Sequence, residues 1–230
     1  TVGNQLKEAI ELHTDRKGKE AEARAIEMLT LVGVNEPEKR VKQYPYELSG
    51  GMRQRVMIAM ALACEPDILI ADEPTTALDV TIQAQILELM QSLQKKLGMA
   101  IIMVTHDLGV IADMCDEIIV MYGGRVCERG TAEDIFYRPH HEYTKGLLRS
   151  IPNVDRIGEK LIPIPGTPPD LLKLNSGCAF MPRCSKAMKI CKDYMPCRTQ
   201  FSEDQYCSCW EYCKDSADKI VQEQSAAVNG

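Results

Sequence analysis

The segment from Leu48 to Asp79 places the strongest constraint on what this chain can fold into. It reads LSGGMRQRVMIAMALACEPDILIADEPTTALD, so a glycine-containing helix start is followed by a helix, a short apolar run and an acidic pair. Ser49 is a good N-cap, and the run ILIA before Asp72 is typical of a parallel strand that is buried on both faces. Asp72 and Glu73 follow that strand directly, where open α/β sheets bind ligands. The segment therefore predicts a site for nucleotide phosphate and magnesium.

The same order of strand, polar site and helix occurs a second time. Asp79 is placed to cap a helix that runs to about Leu97, and the apolar strand Ala100 to Val104 follows it. That strand leads into Thr105-His106-Asp107. A lone histidine is more often structural than catalytic, but His106 again stands at the carboxyl end of a strand. The repetition indicates an α/β fold with its polar residues at one edge of a parallel sheet.

Outside these two repeats, the sequence predicts helices near the N-terminus, and a hairpin followed by a proline-rich segment later in the chain. Gly123-Gly124 is a two-residue turn signal between two apolar runs, and IPIPGTPPD predicts a linker or an extended wrapping segment. The residues from about Asp218 onward predict a poorly anchored end. The predicted elements are two helices between Asn4 and Val32 broken around Thr14 to Gly18, strands Glu117 to Tyr122 and Arg125 to Glu128, helices Thr131 to Tyr137 and Glu142 to Leu148, and the proline-rich segment Ile151 to Asn175.

Composition narrows the classes of partner. The net charge of -6 argues against a surface built for nucleic acid, and no stretch approaches the roughly 18 apolar residues of a membrane span. The first residues do not resemble a secretory signal, which favours a reducing compartment. Seven of the ten cysteines lie between Cys178 and Cys213. In such a compartment clustered thiolates more often hold metal, and disulfides are the weaker alternative.

Four motifs in this order closely resemble the ATP-binding subunits of ABC transporters: LSGGMRQR, ILIADEP, ALD and VTHD. The longer wordings YPYELSGGMRQRVMIAMALA and THDLGV, with a tail reading IPGTPPDLL and GCAFMPRC, resemble the oligopeptide and dipeptide importers, particularly the D-type subunit. The resemblance implies a partial P-loop NTPase fold of the ABC type, with a helical subdomain and a small cysteine-rich extension. It divides the chain into residues 1–48, the second part of the ATPase core at 49–150, and the linker with the extension at 151–230.

The resemblance also implies roles for particular residues. Asp72 would help to hold Mg²⁺, Glu73 would polarise the attacking water, and His106 would contact the γ-phosphate of ATP. Ser49, Gly50, Gly51 and Gln54 of the signature motif would meet the nucleotide of a second ATP-binding subunit, and Asp79 would couple the two sites. The resemblance links four cysteines, separated by 5, 6 and 17 residues, to a 4Fe–4S cluster, with zinc as the alternative. These four are Cys178, Cys184, Cys191 and Cys209. Cys207 is an alternative to Cys209 as the fourth ligand.

The implied assembly is an importer energised by ATP hydrolysis at the cytoplasmic face of the cell membrane. Its partners would be a second ATPase subunit in a head-to-tail dimer, two membrane permeases and, indirectly, an extracytoplasmic peptide-binding protein, without nucleic acid. The sequence contains no GxxxxGK phosphate loop, so we expect the second part of a longer subunit that does not bind ATP tightly alone. The alternatives are a non-transport ABC ATPase and a metal-binding, redox or regulatory partner of such an ATPase.

Overall fold

A computed structural model of the chain describes residues 1–151 and 163–213 and separates them into two compact units, Thr1–Val110 and the residues from Ile111 onward. The boundary between the units differs from the three-part division at residues 48 and 150, which stays a prediction. Within the described ranges, no helix has both the length and the apolar character needed to cross a membrane.

The first unit consists of helices and one pair of parallel strands. Its apolar core is formed mainly by α1, α2 and α4, which pack on one another through residues such as Leu6, Ile10, Leu29 and Leu62. The two predicted N-terminal helices are confirmed, and the break between them lies at residues 14–17. The elements are α1 Val2–His13, α2 Gly18–Leu31, α3 Pro37–Arg40, a 3₁₀ turn Pro45–Glu47, α4 Gly50–Leu62, β1 Ile68–Asp72, α5 Val80–Leu97, β2 Ala100–Val104 and α6 Leu108–Met114, whose last residues belong to the second unit.

The parallel pair sets the position of the site, but only one of its faces is well buried. β1 and β2 pair in register from Ile68 with Ala100 to Asp72 with Val104, so their carboxyl ends lie side by side. Leu69 and Ala71 are buried, whereas Ile68 is 56% and Ile70 68% exposed. The prediction of a strand buried on both faces is therefore wrong for the described residues. Apolar character alone does not distinguish a covered face from an open one.

The second unit is built on an antiparallel sheet with strand order β3-β4-β6-β5. The predicted hairpin is confirmed, with Gly123 and Gly124 both at positive φ, as a two-residue turn of this kind requires. The tail contributes β5 and β6 to the same sheet, which the sequence pattern did not predict. The elements are β3 Glu117–Tyr122, β4 Arg125–Thr131, α7 Ala132–Tyr137, α8 Glu142–Arg149, 3₁₀ turns Leu171–Lys173 and Met181–Arg183, α9 Ile190–Asp193, β5 Arg198–Gln200 and β6 Tyr206–Ser208.

Helices α7 and α8 start where the sequence predicts, whereas α9 was not predicted. Thr131 caps α7, and its hydroxyl and amide contact the carboxylate of Asp134 three residues on, so the capping box is present. Residues 152–162 of the proline-rich segment and the predicted poorly anchored end lie outside the described residues.

Candidate functional site

Glu73 and His106, which are far apart in sequence, meet at the carboxyl ends of β1 and β2. Nδ1 of His106 lies 3.0 Å from Oε1 of Glu73. An ionised carboxylate can accept hydrogen bonds but cannot donate them. Nδ1 of His106 therefore carries a hydrogen atom and donates a hydrogen bond to Oε1 of Glu73. Both side chains are open to solvent, so a ligand can reach them.

The backbone at Glu73 is held in an unusual conformation. Its φ is 45°, and that of Ala77 is 64°, in the left-handed region that residues with a Cβ seldom adopt. The amide of Glu73 donates to the carbonyl of Val104 at 2.8 Å, which ties it to the end of β2. Thr76 donates from its hydroxyl to Oε2 of Glu73 at 2.8 Å. The turn after β1 thus fixes the direction of the carboxylate, as is frequent at functional sites.

The carboxylate of Glu73 is held in its charged form. The hydrogen bond from Thr76, and after it the hydrogen bond from His106, lower the pKa of Glu73 below its ordinary value. Each of its oxygens receives one hydrogen bond and retains capacity for another. The site therefore presents an ionised carboxylate that can still accept a proton or a hydrogen bond.

Asp107 stabilises the loop that carries His106. Its carboxylate accepts hydrogen bonds from the side chain of Gln83 at 3.1 Å and from the amide of Gly109 at 2.9 Å. Burial raises the pKa of Asp107, but these hydrogen bonds outweigh it and leave the pKa below its ordinary value. Asp72, the last residue of β1, is exposed next to Glu73 and lies on the same strand face as Ile70.

The N-terminus of α4 contacts the start of α5. Ser49 caps α4 by accepting from the amide of Met52 at 3.3 Å, as predicted. A Cβ at Gly51 would lie 2.7 Å from Cγ2 of Ile82, whereas one at Gly50 would meet its nearest neighbour at an ordinary 3.5 Å. Gly51 is thus required by helix packing, which the sequence does not reveal. Gln54 is half-buried one turn farther along α4.

Asp79 caps α5 as predicted. Its carboxylate accepts from the amide of Ile82 at 3.0 Å, and the residue itself is exposed. Since Ile82 also touches the position where Gly51 would carry a Cβ, the cap of α5 and the first turn of α4 are neighbours.

In the second unit, the four cysteines indicated by the family resemblance line one cavity. Cys178, Cys184, Cys191 and Cys209 all face a small cavity of about 20 Å³, which we call the cysteine cavity. The amide of Cys178 donates to the carbonyl of Cys191 at 2.8 Å, which joins the segment that carries Cys178 to α9. Other walls of the cavity are formed by His141, Glu142, Phe180, Lys186 and Trp210.

Three sulfur atoms of the cysteine cavity are held as thiols. Burial raises the pKa of Cys178, of Cys184 and of Cys209, the last to about 11. In residues 1–151 and 163–213, no three His, Cys, Asp or Glu side chains come close enough together to hold a metal ion.

The three other cysteines of the tail lie elsewhere. Cys197 and Cys213 form a disulfide, and Cys207 is fully buried in β6 opposite Thr199. Burial raises the pKa of Cys207 strongly. Cys209, and not its competitor Cys207, therefore lines the cysteine cavity.

Comparison with known proteins matches two segments of the chain to family models. Residues 2–76 match the model of the ABC transporter family, and residues 127–191 match that of the oligopeptide/dipeptide transporter C-terminal region. The dipeptide transport ATP-binding protein DppD of Bacillus subtilis (strain 168) is 54% identical over 210 residues, 91% of this chain. The chain belongs to the oligopeptide/dipeptide group of the ABC transporter family. The predicted family is thus confirmed.

Further relatives agree with this family. The oligopeptide transport ATP-binding proteins OppD of Salmonella typhimurium and of Bacillus subtilis are 54% and 55% identical over 85% and 91% of the chain. This ABC transporter chain spans 63%, 58% and 59% of the lengths of DppD and these two OppD proteins.

Solved structures confirm the α/β fold of an ABC ATPase. CbiO1 of Clostridium perfringens, part of the ABC transporter complex cbiONQ, is 32% identical with a TM-score of 0.51, covering 60% of this chain and 53% of its own. A metal-chelate type ABC transporter in an inward-facing conformation is 23% identical with a TM-score of 0.53, covering 59% of this chain and 53% of its own, and supports the fold alone.

Several contacts of this ABC transporter chain were missed at the level of sequence. Thr76, which holds Glu73, and Gln83, which holds Asp107, stand in or beside the motifs but carry no signal of their own. Glu128 is fully buried in β4 and accepts from the amides of His140 at 2.5 Å and His141 at 3.0 Å. Because the predicted strand contains both polar and apolar residues, its sequence does not indicate that this glutamate is buried.

Proposed function

We propose that this chain supplies two half-sites within an ATP-hydrolysing subunit of an ABC peptide importer. One half-site, at Glu73 and His106, serves the subunit's own nucleotide, and the other, at the start of α4, serves the nucleotide of a neighbouring subunit. The contact of 3.0 Å between Glu73 and His106 carries the proposal, because it joins a charged base and a histidine at a strand edge where ligands bind. The relatives named for dipeptide and oligopeptide transport support a peptide as the cargo.

Glu73 is the proposed general base of hydrolysis. Thr76 and His106 fix its carboxylate and favour its ionised form, so it can orient a water molecule toward the γ-phosphate and accept its proton. His106 would contact the γ-phosphate from the neighbouring strand end. Phosphoryl transfer depends mainly on such positioning and on charge stabilisation.

Asp72 is the proposed contact for magnesium. An exposed carboxylate is a hard oxygen ligand of the kind that Mg²⁺ prefers, often through water. When bound with ATP, Mg²⁺ neutralises charge on the phosphates.

The start of α4 is the proposed contact with the second subunit. Ser49, Gly50 and Gly51 expose the first amides of a helix of 13 residues, where partial positive charge attracts phosphate, and Gln54 lies one turn on. Asp79 lies beside them and would couple the two nucleotide sites. The proposed assembly is a head-to-tail pair of ATPase subunits with two permeases and an extracytoplasmic peptide-binding protein, held at the cytoplasmic face of the membrane.

The cysteine cavity is the proposed site of a 4Fe–4S cluster, with zinc as the alternative. Cys191 of α9 and three cysteines outside the helices face one space, and the donor set of four thiolates is that of such clusters. A single metal ion needs its ligands close to one point, and the described side chains do not meet that condition. A cluster holds its four thiolates farther apart, so the arrangement is compatible with a cluster. Ligation would replace the protons that burial favours on Cys178, Cys184 and Cys209, and the small cavity would have to widen. The cluster would cross-link the loops of the tail.

The hydrolytic role can be tested in a hybrid protein. Residues 1–230 of this chain would replace the matching segment of Bacillus subtilis DppD, and phosphate release from ATP would be measured. We expect hydrolysis in the hybrid and a loss of about 100-fold or more in Glu73→Gln, which removes the base but keeps its size. The same variant should accumulate as an ATP-bound dimer, measured by size-exclusion chromatography.

The control for this test is Glu65→Gln, an exposed glutamate of the same unit that pairs with Arg16 and Arg24. It should hydrolyse ATP as the unaltered hybrid does. Undiminished hydrolysis in Glu73→Gln would refute the assignment of the base. An inactive hybrid that still binds iron would favour the alternative, a metal-binding or regulatory partner of an ABC ATPase.

The metal is tested on the chain itself. After anaerobic purification and reconstitution, iron, sulfide and zinc would be measured, and iron with equal sulfide is the expected result. A folded tail without metal would contradict the cluster.

A further inference from the structure

His141 is a buried residue of the cysteine cavity that the proposed chemistry does not use. Only 3% of its surface is exposed, and it stands at the wall of the cavity beside Phe180, whose ring centre is 5.7 Å from that of His141. Its place at the start of α8 brings it to the four cysteines from a different part of the chain.

The hydrogen bond at one ring nitrogen determines where the proton of His141 lies. Nδ1 accepts from the amide of Tyr143 at 3.1 Å, in the manner of an N-cap. An accepting nitrogen is unprotonated, so the N–H group of the imidazole must be at Nε2. Glu128 fixes the backbone at His140 and His141, because its carboxylate accepts hydrogen bonds from both of their amides.

The N–H group at Nε2 has no acceptor among the described residues. Within the described part of the chain, the only hydrogen bond of the His141 side chain is the one at Nδ1. The other side-chain nitrogen donors on the cavity wall are already used: Trp210 donates from Nε1 to the carbonyl of Tyr194 at 2.9 Å, and Lys186 pairs with Glu142 and Glu211. This N–H group is therefore available to an acceptor that enters the cavity.

We propose that Nε2–H of His141 donates a hydrogen bond to a sulfur atom of the cluster in the cysteine cavity. This inference rests on the proposed cluster. His141 is then a positioning residue that orients the site and makes the cluster easier to reduce, because a hydrogen bond to sulfur stabilises the more negative, reduced form.

The test compares two replacements of His141 in the full chain after anaerobic reconstitution. His141→Leu removes the N–H group and keeps an apolar side chain, whereas His141→Gln keeps an N–H donor at a similar reach. His140→Leu is the matched control, because that neighbouring ring stacks on Phe201 and is not part of the cavity wall. Iron and sulfide content, far-ultraviolet circular dichroism and the midpoint potential from an EPR-monitored reductive titration would be measured.

We expect full iron content with a lower midpoint potential in His141→Leu, and potentials close to the unaltered chain in His141→Gln and His140→Leu. If His141→Leu loses its iron while it remains folded, retention of iron in His141→Gln supports the donor, and equal loss in both overturns it. A full cluster with an unchanged potential in His141→Leu overturns this inference alone. Absence of iron from the unaltered chain overturns the cluster and the inference together. Strong coupling of a ¹⁵N-labelled histidine to the cluster would make His141 a ligand and also overturns the hydrogen bond.

Discussion

At the scale of single residues, the proposed chemistry depends on the carboxylate of Glu73, which is held in its ionised form at the end of β1. Thr76 contributes most to this state, followed by His106, since both donate hydrogen bonds to the charged form of Glu73. The positive φ of Glu73 keeps the carboxylate within reach of both donors. The motif specifies the carboxylate, and its neighbours specify the pH range in which it works.

Thr76→Val in the hybrid protein is expected to move the acid limb of ATP hydrolysis to higher pH. Without the hydroxyl, the pKa of Glu73 rises toward its ordinary value, so the base becomes protonated, and activity is lost, at a higher pH than before. The measurement is the rate of phosphate release as a function of pH across the acid range. Thr76→Ser retains the hydroxyl and should keep the original profile. Identical acid limbs in Thr76→Val and the unaltered hybrid would show that Thr76 does not control Glu73.

At the scale of elements, two adjacent glycines at the start of α4 have different tasks. Gly51 leaves room for Ile82 of α5, while Gly50 has ordinary space around it. The structure therefore assigns Gly51 to the contact between two helices. It leaves Gly50 as the glycine whose absent side chain matters only to an approaching ligand.

Gly51→Ala is expected to lower the free energy of unfolding of the chain by about 1–3 kcal/mol, because its Cβ would press on Cγ2 of Ile82 in a packed contact. Gly50→Ala is the matched control, and it should leave stability unchanged or raise it by up to about 1 kcal/mol through helix propensity. Urea denaturation followed by circular dichroism measures both. Equal effects of the two substitutions would contradict the assignment of Gly51 to packing.

At the scale of the whole molecule, the described residues form two compact units with separate cores. The first contains the parallel strands and the two proposed nucleotide half-sites. The second contains the antiparallel sheet, in which β4 pairs with β6 of the tail, and the cysteine cavity. The tail is therefore part of the sheet that begins with the predicted hairpin.

Local damage is expected to stay within its unit. Thr131→Ala removes the cap of α7 at a cost of about 1 kcal/mol and should raise amide hydrogen exchange in the second unit, around α7 and the β3–β4 hairpin. Gly51→Ala should raise exchange in the first unit only. Glu133→Gln, at an exposed position of the same helix turn as Asp134, is the control and should have little effect. Hydrogen exchange with mass spectrometry would reveal the pattern, and overlapping changes from the two variants would argue against independent units.

Much of the local structure was predictable because it is encoded in short windows. Ser49, Asp79 and Thr131 cap their helices through contacts only three residues away, and Gly123-Gly124 forms a turn that few other residue pairs allow. The four tail cysteines that face one cavity were indicated by the family resemblance and not by a local pattern. For the helix caps and the turn, the signal and its structural consequence lie close together in the chain.

The sequence by itself determined the helix starts, the hairpin, the two strand ends with their polar residues and the family to which the chain belongs. Only the tertiary structure decided that one face of the parallel strands is open, that β6 joins the sheet of the hairpin, that Gly51 packs on Ile82 and that His141 stands at the cysteine cavity. These features depend on contacts between residues distant in sequence. Such contacts are selected by burial and hydrogen bonding over the whole fold, which local periodicity and spacing do not record.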